Sequence, residues 1–204
     1  MRKIRRFTFL SLALLVPNGC AHQRSVTGAP LSTAAWPDPA ELRRLTITPG
    51  VSVVAPPFDS PERITDRTAD SYCRPGNTES GNPAAALFDL RCVWSQPGGY
   101  RQFYVGVRLH VPGGDTGTPG ARLENAARVL GIAQLGPLES VSLAGHPCVA
   151  ARSEFEGLRV KHCLCLRGAG AVVLYAGAPD GDPFPEAESF FSSLELGPEF
   201  GASR

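Results

Sequence analysis

The sequence predicts an α+β domain in which an antiparallel β-sheet is flanked by helices, on three observations. Apolar and polar residues alternate in many short stretches. The clearest is Gln102 to Val111, with Phe103, Val105, Val107, Leu109 and Val111 on one face and Gln102, Tyr104, Arg108 and His110 on the other. Two stretches repeat instead at helical spacing: Leu123, Ala126, Ala127 and Leu130, then Ala187, Phe190, Phe191 and Leu194. Gly 22 and Pro 19 in 204 residues exceed average usage, which favours many turns and short strands over long helices.

Residues 1–19 read as a signal peptide. Arg2, Lys3, Arg5 and Arg6 form a basic head, and Phe7 to Val16 is an uncharged apolar run of about ten residues, well short of the ~20 that span a bilayer. Pro17-Asn18-Gly19 then delivers the chain to Cys20. The arrangement resembles a bacterial lipoprotein signal, in which a peptidase cuts before a cysteine that carries a diacylglyceryl group. Gly19 fits that pattern, while Pro17 stands where such signals usually carry an aliphatic residue. The resemblance implies lipidation at Cys20 with palmitate-type chains, a membrane partner through that lipid, and an extracytoplasmic place in the cell envelope. An ordinary secretory signal or an uncleaved anchor are the alternatives.

Removing the four basic residues of the head from 20 leaves 16 against 19 acidic, a balance near −3. That excludes a basic field for nucleic acid, and no charge run is long enough to form an interaction tail. About 185 residues remain after the signal, enough for one domain and a tether. Residues 20–43 are the lipidated cysteine and tether, rich in Ala, Ser, Thr and Pro, with His22 solvated and Trp36 near the domain entrance. The single domain is expected over 44–197, with 198–204 a C-terminal tail.

Within it, Leu45–Thr48 and Val51–Val54 are strands around the Pro49-Gly50 turn. Ser71 to Pro83 is a polar loop holding Cys73. Phe88, Leu90, Cys92 and Trp94 share a strand face opposite Asp89 and Arg91, and Pro97-Gly98-Gly99 turns the chain into the Gln102–Val111 strand. Thr118-Pro119 suits an N-cap followed by proline at the first helical position, and Gly131 a C-terminal stop. Four strands follow, Leu138–Leu143, Cys148–Phe155, Leu158–Leu166 and Ala171–Ala176. Asp182-Pro183 opens the last helix.

This order of elements resembles the PsbP-like fold, an α/β/α sandwich shared by a photosystem subunit, a Ran-binding protein and many bacterial lipoproteins of unassigned chemistry. The residues that carry it are Val141 to Pro147, the hairpin after them, and Ala187 to Ser193. The resemblance implies a docking or assembly role, with an envelope protein as partner, and transfers no site residues.

The most informative chemistry is the hairpin around Glu156-Gly157. Val149, Ala151, Ser153 and Phe155 face inward on one arm, as do Leu158, Val160, His162, Leu164 and Leu166 on the other. Arg152, Glu154, Arg159, Lys161 and Arg167 face outward, and His162 is a hydrogen-bonded core residue. With Glu156 and Gly157 as a two-residue loop, Phe155 lies opposite Leu158 and, counting back, Cys148 opposite Cys165. Pair types alternate from the turn, so Cys148/Cys165 is a non-hydrogen-bonded pair with Cα atoms about 4.5 Å apart, close enough for a disulfide. Cys73 and Cys92 make the second bridge and Cys163 is left over; Cys148 with Cys163 is the alternative pairing. His146, Cys148, Cys163 and Cys165 also project from one face, which is the donor set of a metal-handling or thiol-redox site. Residues spaced two apart on a strand sit about 6–7 Å apart, an awkward span for one tetrahedral ion.

No Gly-x-Ser-x-Gly, His-Glu-x-x-His, Walker or dinucleotide-binding pattern occurs. The Gly113–Gly117 loop lacks the lysine of a phosphate loop. The sequence therefore nominates no catalytic residue and implies no cofactor. It reads as a non-catalytic binding or scaffolding module.

Overall fold

The computed structural model describes residues 44–56, 73–75, 87–95, 101–155, 157–179, 184 and 186–202. Cys20, the signal, the tether with His22 and Trp36, the Pro97-Gly98-Gly99 turn and the Asp182-Pro183 helix start lie outside them.

A seven-stranded antiparallel sheet organises the domain. Its strands are β3 (Cys73–Pro75), β4 (Leu90–Ser95), β5 (Gln102–Arg108), β6 (Glu139–Leu143), β7 (His146–Phe155), β8 (Leu158–Arg167) and β9 (Gly170–Pro179), in the order β3-β4-β5-β9-β8-β7-β6. β7, β8 and β9 are the long strands, ten residues each, and β9 lies in the middle of the order. Gly157 has φ +78, and in the β6–β7 turn Ala144 and Gly145 have φ 48 and 79. The β6–β7 loop is thus two residues long with the left-handed backbone that suits the twist of a hairpin.

Each face of the sheet is buried under its own layer. On one face lies α1 (Pro119–Val129), started by Thr118, whose Oγ1 accepts from Ala121 N at 3.3 Å. Its Leu123, Ala126 and Ala127, with Leu130 and Ile132 just beyond, pack against Val149, Ala151, Leu164, Ala171 and Val173. The glycine-rich loop before α1 is held by side chains of the helix. Arg122 donates from Nε to Gly114 O and from Nη2 to Gly168 O, and Asn125 Nδ2 donates to Pro112 O at 2.8 Å. It is a clamped connector.

On the other face lie α2 (Glu186–Ser192) and a small antiparallel sheet of β1 (Arg44–Thr48), β2 (Val51–Val54) and β10 (Glu195–Leu196), in the order β1-β2-β10. Leu45, Ile47, Val51, Val53 and Leu196 from this sheet, and Phe190, Phe191 and Leu194, meet the large sheet over Phe103, Val105, Val172 and Leu174. Edge-on ring contacts knit this layer: the Phe103 and Phe190 centroids are 4.9 Å apart, those of Trp94 and Phe190 6.2 Å.

Several expectations change. Tyr104, expected outward, is 2% exposed, because the second face is covered and Gly106 beside it leaves room for the Phe88 and Tyr104 rings. Leu109, expected inward, is 54% exposed, since β5 ends at Arg108. Phe88 joins the α1 face, apart from Leu90, Cys92 and Trp94. The strand starts only at Leu90, and Asp89 turns its carboxylate back to accept from Leu109 N at 2.7 Å. Cys73–Pro75, expected as loop, forms edge strand β3. The expected tail belongs to the fold: Phe200 is 2% exposed in the core, and Gly201 O accepts from Ala169 N at 3.1 Å.

Candidate functional site

The hairpin of β7 and β8 pairs Phe155 with Leu158, Ala150 with Cys163 and Cys148 with Cys165, the register read from its sequence. The Cys148 and Cys165 Cα atoms are 4.4 Å apart and their sulfurs are bonded, as are those of Cys73 and Cys92 across β3 and β4. Both bridges project from the face under α2 and the small sheet. One cross-strand row reads Ala150, Cys163, Leu174, Val105, Cys92, Cys73; the next reads Cys148, Cys165, Val172, Val107, Leu90. The cysteines share the face of Arg152 and Lys161, which were expected outward, yet that face is core here, with Cys148 and Cys165 1% and 0% exposed.

Cys163 stays unpaired and fully buried in the row of the Cys73–Cys92 bridge. Burial pushes its thiol up to about 11, with Lys161 opposing and Glu188 adding a little. It is thus a neutral thiol, a poor nucleophile and a poor metal ligand. The set His146, Cys148, Cys163 and Cys165 does not assemble as a metal centre, since two of its sulfurs are bonded to each other and the third is a buried thiol. Among the described residues no other group of His, Cys, Asp or Glu is placed to hold an ion.

Toward the hairpin tip the same face changes character. Side chains turn from apolar to charged, and a cleft of about 700 Å³ opens, with Leu135, Ser153 and Val160 of the α1 side also in its wall. Arg152, Arg159 and Lys161 line it from the hairpin, Ala176 and Ala178 from β9, and Glu188 from α2. Arg152 stands directly opposite Lys161, and Glu154 opposite Arg159. Like charges facing across a pair are unfavourable. Here each cation has its own carboxylate, Glu139 at 3.7 Å from Arg152 and Glu188 at 2.6 Å from Lys161. Lys161 also lies over the Phe191 ring, 5.0 Å from its centroid. Near the opposite wall Arg101 holds Glu186 at 2.9 Å and caps the Phe184 ring at 5.3 Å. The result is an open recess with a small-residue floor and a rim of both charges. The sequence signal for it is the alternation of Arg152, Glu154, Arg159 and Lys161 on a face that two pairs farther on carries cysteines.

Under the other layer a polar row crosses the sheet: His162, Tyr175 and Tyr104 lie in register on β8, β9 and β5. His162 Nε2 and Ser153 Oγ are 2.9 Å apart, and the Tyr104 and Tyr175 rings stack at 4.9 Å. His162 is 5% exposed, and burial pulls its pKa down to about 4, so the ring is neutral at ordinary pH. Burial raises both phenols, Tyr175 to about 12. His110, by contrast, is exposed at the end of β5.

No protein-family model matches the chain, and no curated protein matches it. Among solved structures it is similar to the cyanobacterial PsbP (CyanoP) of Synechocystis sp. PCC 6803, at 12% identity and a TM-score of 0.44 over 84% of this chain and 99% of that one. It is similar also to a protein of Bacteroides thetaiotaomicron VPI-5482, at 16% identity and a TM-score of 0.42 over 76% of this chain. The chain spans about half, 48%, of that protein's length. A third is a Pseudomonas aeruginosa protein of unknown function, PA94, at 17% identity and a TM-score of 0.33, covering 72% and 87% of the two chains. The neighbours thus include a PsbP-like protein at low identity, and the class that stands on this chain's own geometry is α+β, mostly antiparallel, with two described helices.

Proposed function

We propose that the chain is a lipoprotein of the cell envelope, tethered through Cys20, whose domain is a non-catalytic binding or scaffolding module with a PsbP-like α/β/α arrangement. The observation that carries the reading is the pair of buried disulfides on one core face. Such bridges persist in oxidising compartments and are rare in reducing ones. With the basic head and apolar run before Cys20, they support an extracytoplasmic address. No helix among the described residues is long and apolar enough to cross a membrane.

The cleft at the hairpin tip is the surface offered to an envelope protein. Its charges sit in the open on a rigid scaffold, where they can exchange their internal partners for those of a docked segment. The hydrogen-bonded pair of Ser153 and His162 belongs to the α1 side of the sheet; Ser153 reaches the wall of the cleft, while His162 is 5% exposed, which supports a structural role.

Two substitutions in cells separate anchoring from docking. Cys20→Ala is expected to move the protein from the membrane fraction to the soluble one. Arg152→Glu with Arg159→Glu is expected to leave it in the membrane and abolish cross-links from a photoreactive residue placed at Ala178. Retention of Cys20→Ala in membranes contradicts the tether, and cross-links unchanged by charge reversal contradict the cleft.

A further inference from the structure

Strand β6 ends the large sheet, and the chain's own geometry says which of its backbone groups face out. The 4.4 Å Cα separation of Cys148 and Cys165 marks a non-hydrogen-bonded pair, so the N–H and C=O of Cys148 point away from β8 and toward β6. Val141, opposite Cys148, is then a bonded pair with β7, as are Glu139 with Ala150 and Leu143 with His146. The two-residue Ala144-Gly145 loop gives the same parity, because the residues flanking such a loop are a bonded pair. Ser140 and Ser142 therefore direct their N–H and C=O groups off the sheet. Both residues are exposed, and no backbone group among the described residues bonds to either.

An open edge of this kind is a template for another strand, and sheets ordinarily blunt it with short length, proline, lysine or a bulge. The opposite edge does so: β3 has three residues and ends in Pro75. β6 has five residues in unbroken register, without proline or lysine. Its one charge, Glu139, is at the end and is taken by Arg152 at 3.7 Å.

The geometry points to a second copy of this chain as the partner, joined β6 to β6 about a two-fold axis through Val141. Antiparallel pairing in that register sets Ser140 of each copy opposite Ser142 of the other as bonded pairs, exchanging every free edge group. Val141 meets Val141 as the close, non-bonded pair, and serine pairs of this kind are favourable. Glu139 faces Leu143 of the other copy, so no like charges are opposed. The interface is self-complementary, as a two-fold contact requires. Its size falls at the low end for specific association, below ~1,200 Å², so pairing is weak and is read at high protein concentration.

The test is sedimentation of the full chain in density-matched detergent from a few micromolar to about 1 mM, with amide hydrogen exchange at both ends of the range. The expected result is a monomer–dimer equilibrium. The Ser140 and Ser142 amides gain protection with concentration, whereas the Val141 amide, bonded to β7, is protected throughout. Ser142→Pro removes an outward donor without touching the β7 ladder, and is expected to hold the chain monomeric with Val141 still protected. A monomer at about 1 mM overturns the inference. So does protection of Ser140 and Ser142 in a monomer, which places another segment of the same chain on the edge. A dimer whose Ser140 and Ser142 amides stay labile overturns it as well, whatever Ser142→Pro does to folding.

Discussion

Cys148 and Cys165 stand directly opposite each other in the eighth pair of the β7–β8 hairpin, at 4.4 Å between Cα atoms, and Cys163, two residues away on the same face, is left as a thiol. The bridge closes a loop with a sequence separation of 17. In the chain-entropy account it contributes about 3 kcal/mol. Cys148→Ala is therefore expected to lower the denaturation midpoint by that free energy, measured by urea titration under non-reducing conditions. Cys163→Ala keeps both bridges, and its loss is that of a small buried group, on the order of 1 kcal/mol.

Alkylation reads the same arrangement chemically. Cys163 is 0% exposed and its thiol is raised to about 11, so it is expected to resist iodoacetamide in the native protein. In denaturant without reductant, peptide mapping is expected to find the label on Cys163 and on no other domain cysteine. Label on Cys165 would show that Cys148 pairs with Cys163.

His162 makes stability fall on the acid side. Its folded pKa, about 4, lies below the ordinary value of 6.5, so between those pH values the unfolded chain binds a proton that the folded one does not. Stability is full above about pH 6.5, declines as pH falls toward 4, and loses nothing further to this group below that. The shift corresponds to on the order of 3 kcal/mol. His162→Gln, which keeps a hydrogen-bonding group for Ser153, is expected to flatten this limb in midpoints measured from pH 4 to 7.

The aromatic layer on the cysteine face holds the domain together. Phe190 is 0% exposed and packs edge-on to Phe103 and Trp94. Phe190→Ala is expected to destabilise by about 3–5 kcal/mol. Leu109→Ala, at a side chain 54% exposed, is expected to stay within about 0.5 kcal/mol of wild type in the same melts.

Much of this was legible along the chain because local chemistry and tertiary placement agree. The Thr118-Pro119 cap, the Leu123/Ala127 stripe and the Phe155/Leu158 register each depend on spacing alone, and the cysteine pairing follows from that register. The structure departs from the sequence pattern where alternation implies one dry face. Arg152, Glu154, Arg159 and Lys161 make the hairpin tip polar on one side, which hides that the same side is core at Cys148 and Cys163. Tyr104 departs for the same reason, since a tyrosine between Gln102 and Arg108 suits a wet face as well as a buried ring stack.

The rest had no local signal. β10 has two residues, too few for any period, and exists because it bonds to β2 across the core. Phe200 is a lone aromatic after Pro198, and only the packed structure shows that it is buried in the core beside Gly50 and Gly170. The cleft is lined jointly by β7, β8, β9 and α2, elements far apart in sequence.

The central claim is a lipid-tethered, disulfide-bonded module, and the intact mass of the non-reduced protein purified from membranes tests it most directly. The account predicts a chain beginning at Cys20, heavier by its acyl groups and lighter by the hydrogens lost in forming both bridges. A mass that begins at Met1, or one that starts at residue 20 without acyl mass, contradicts it.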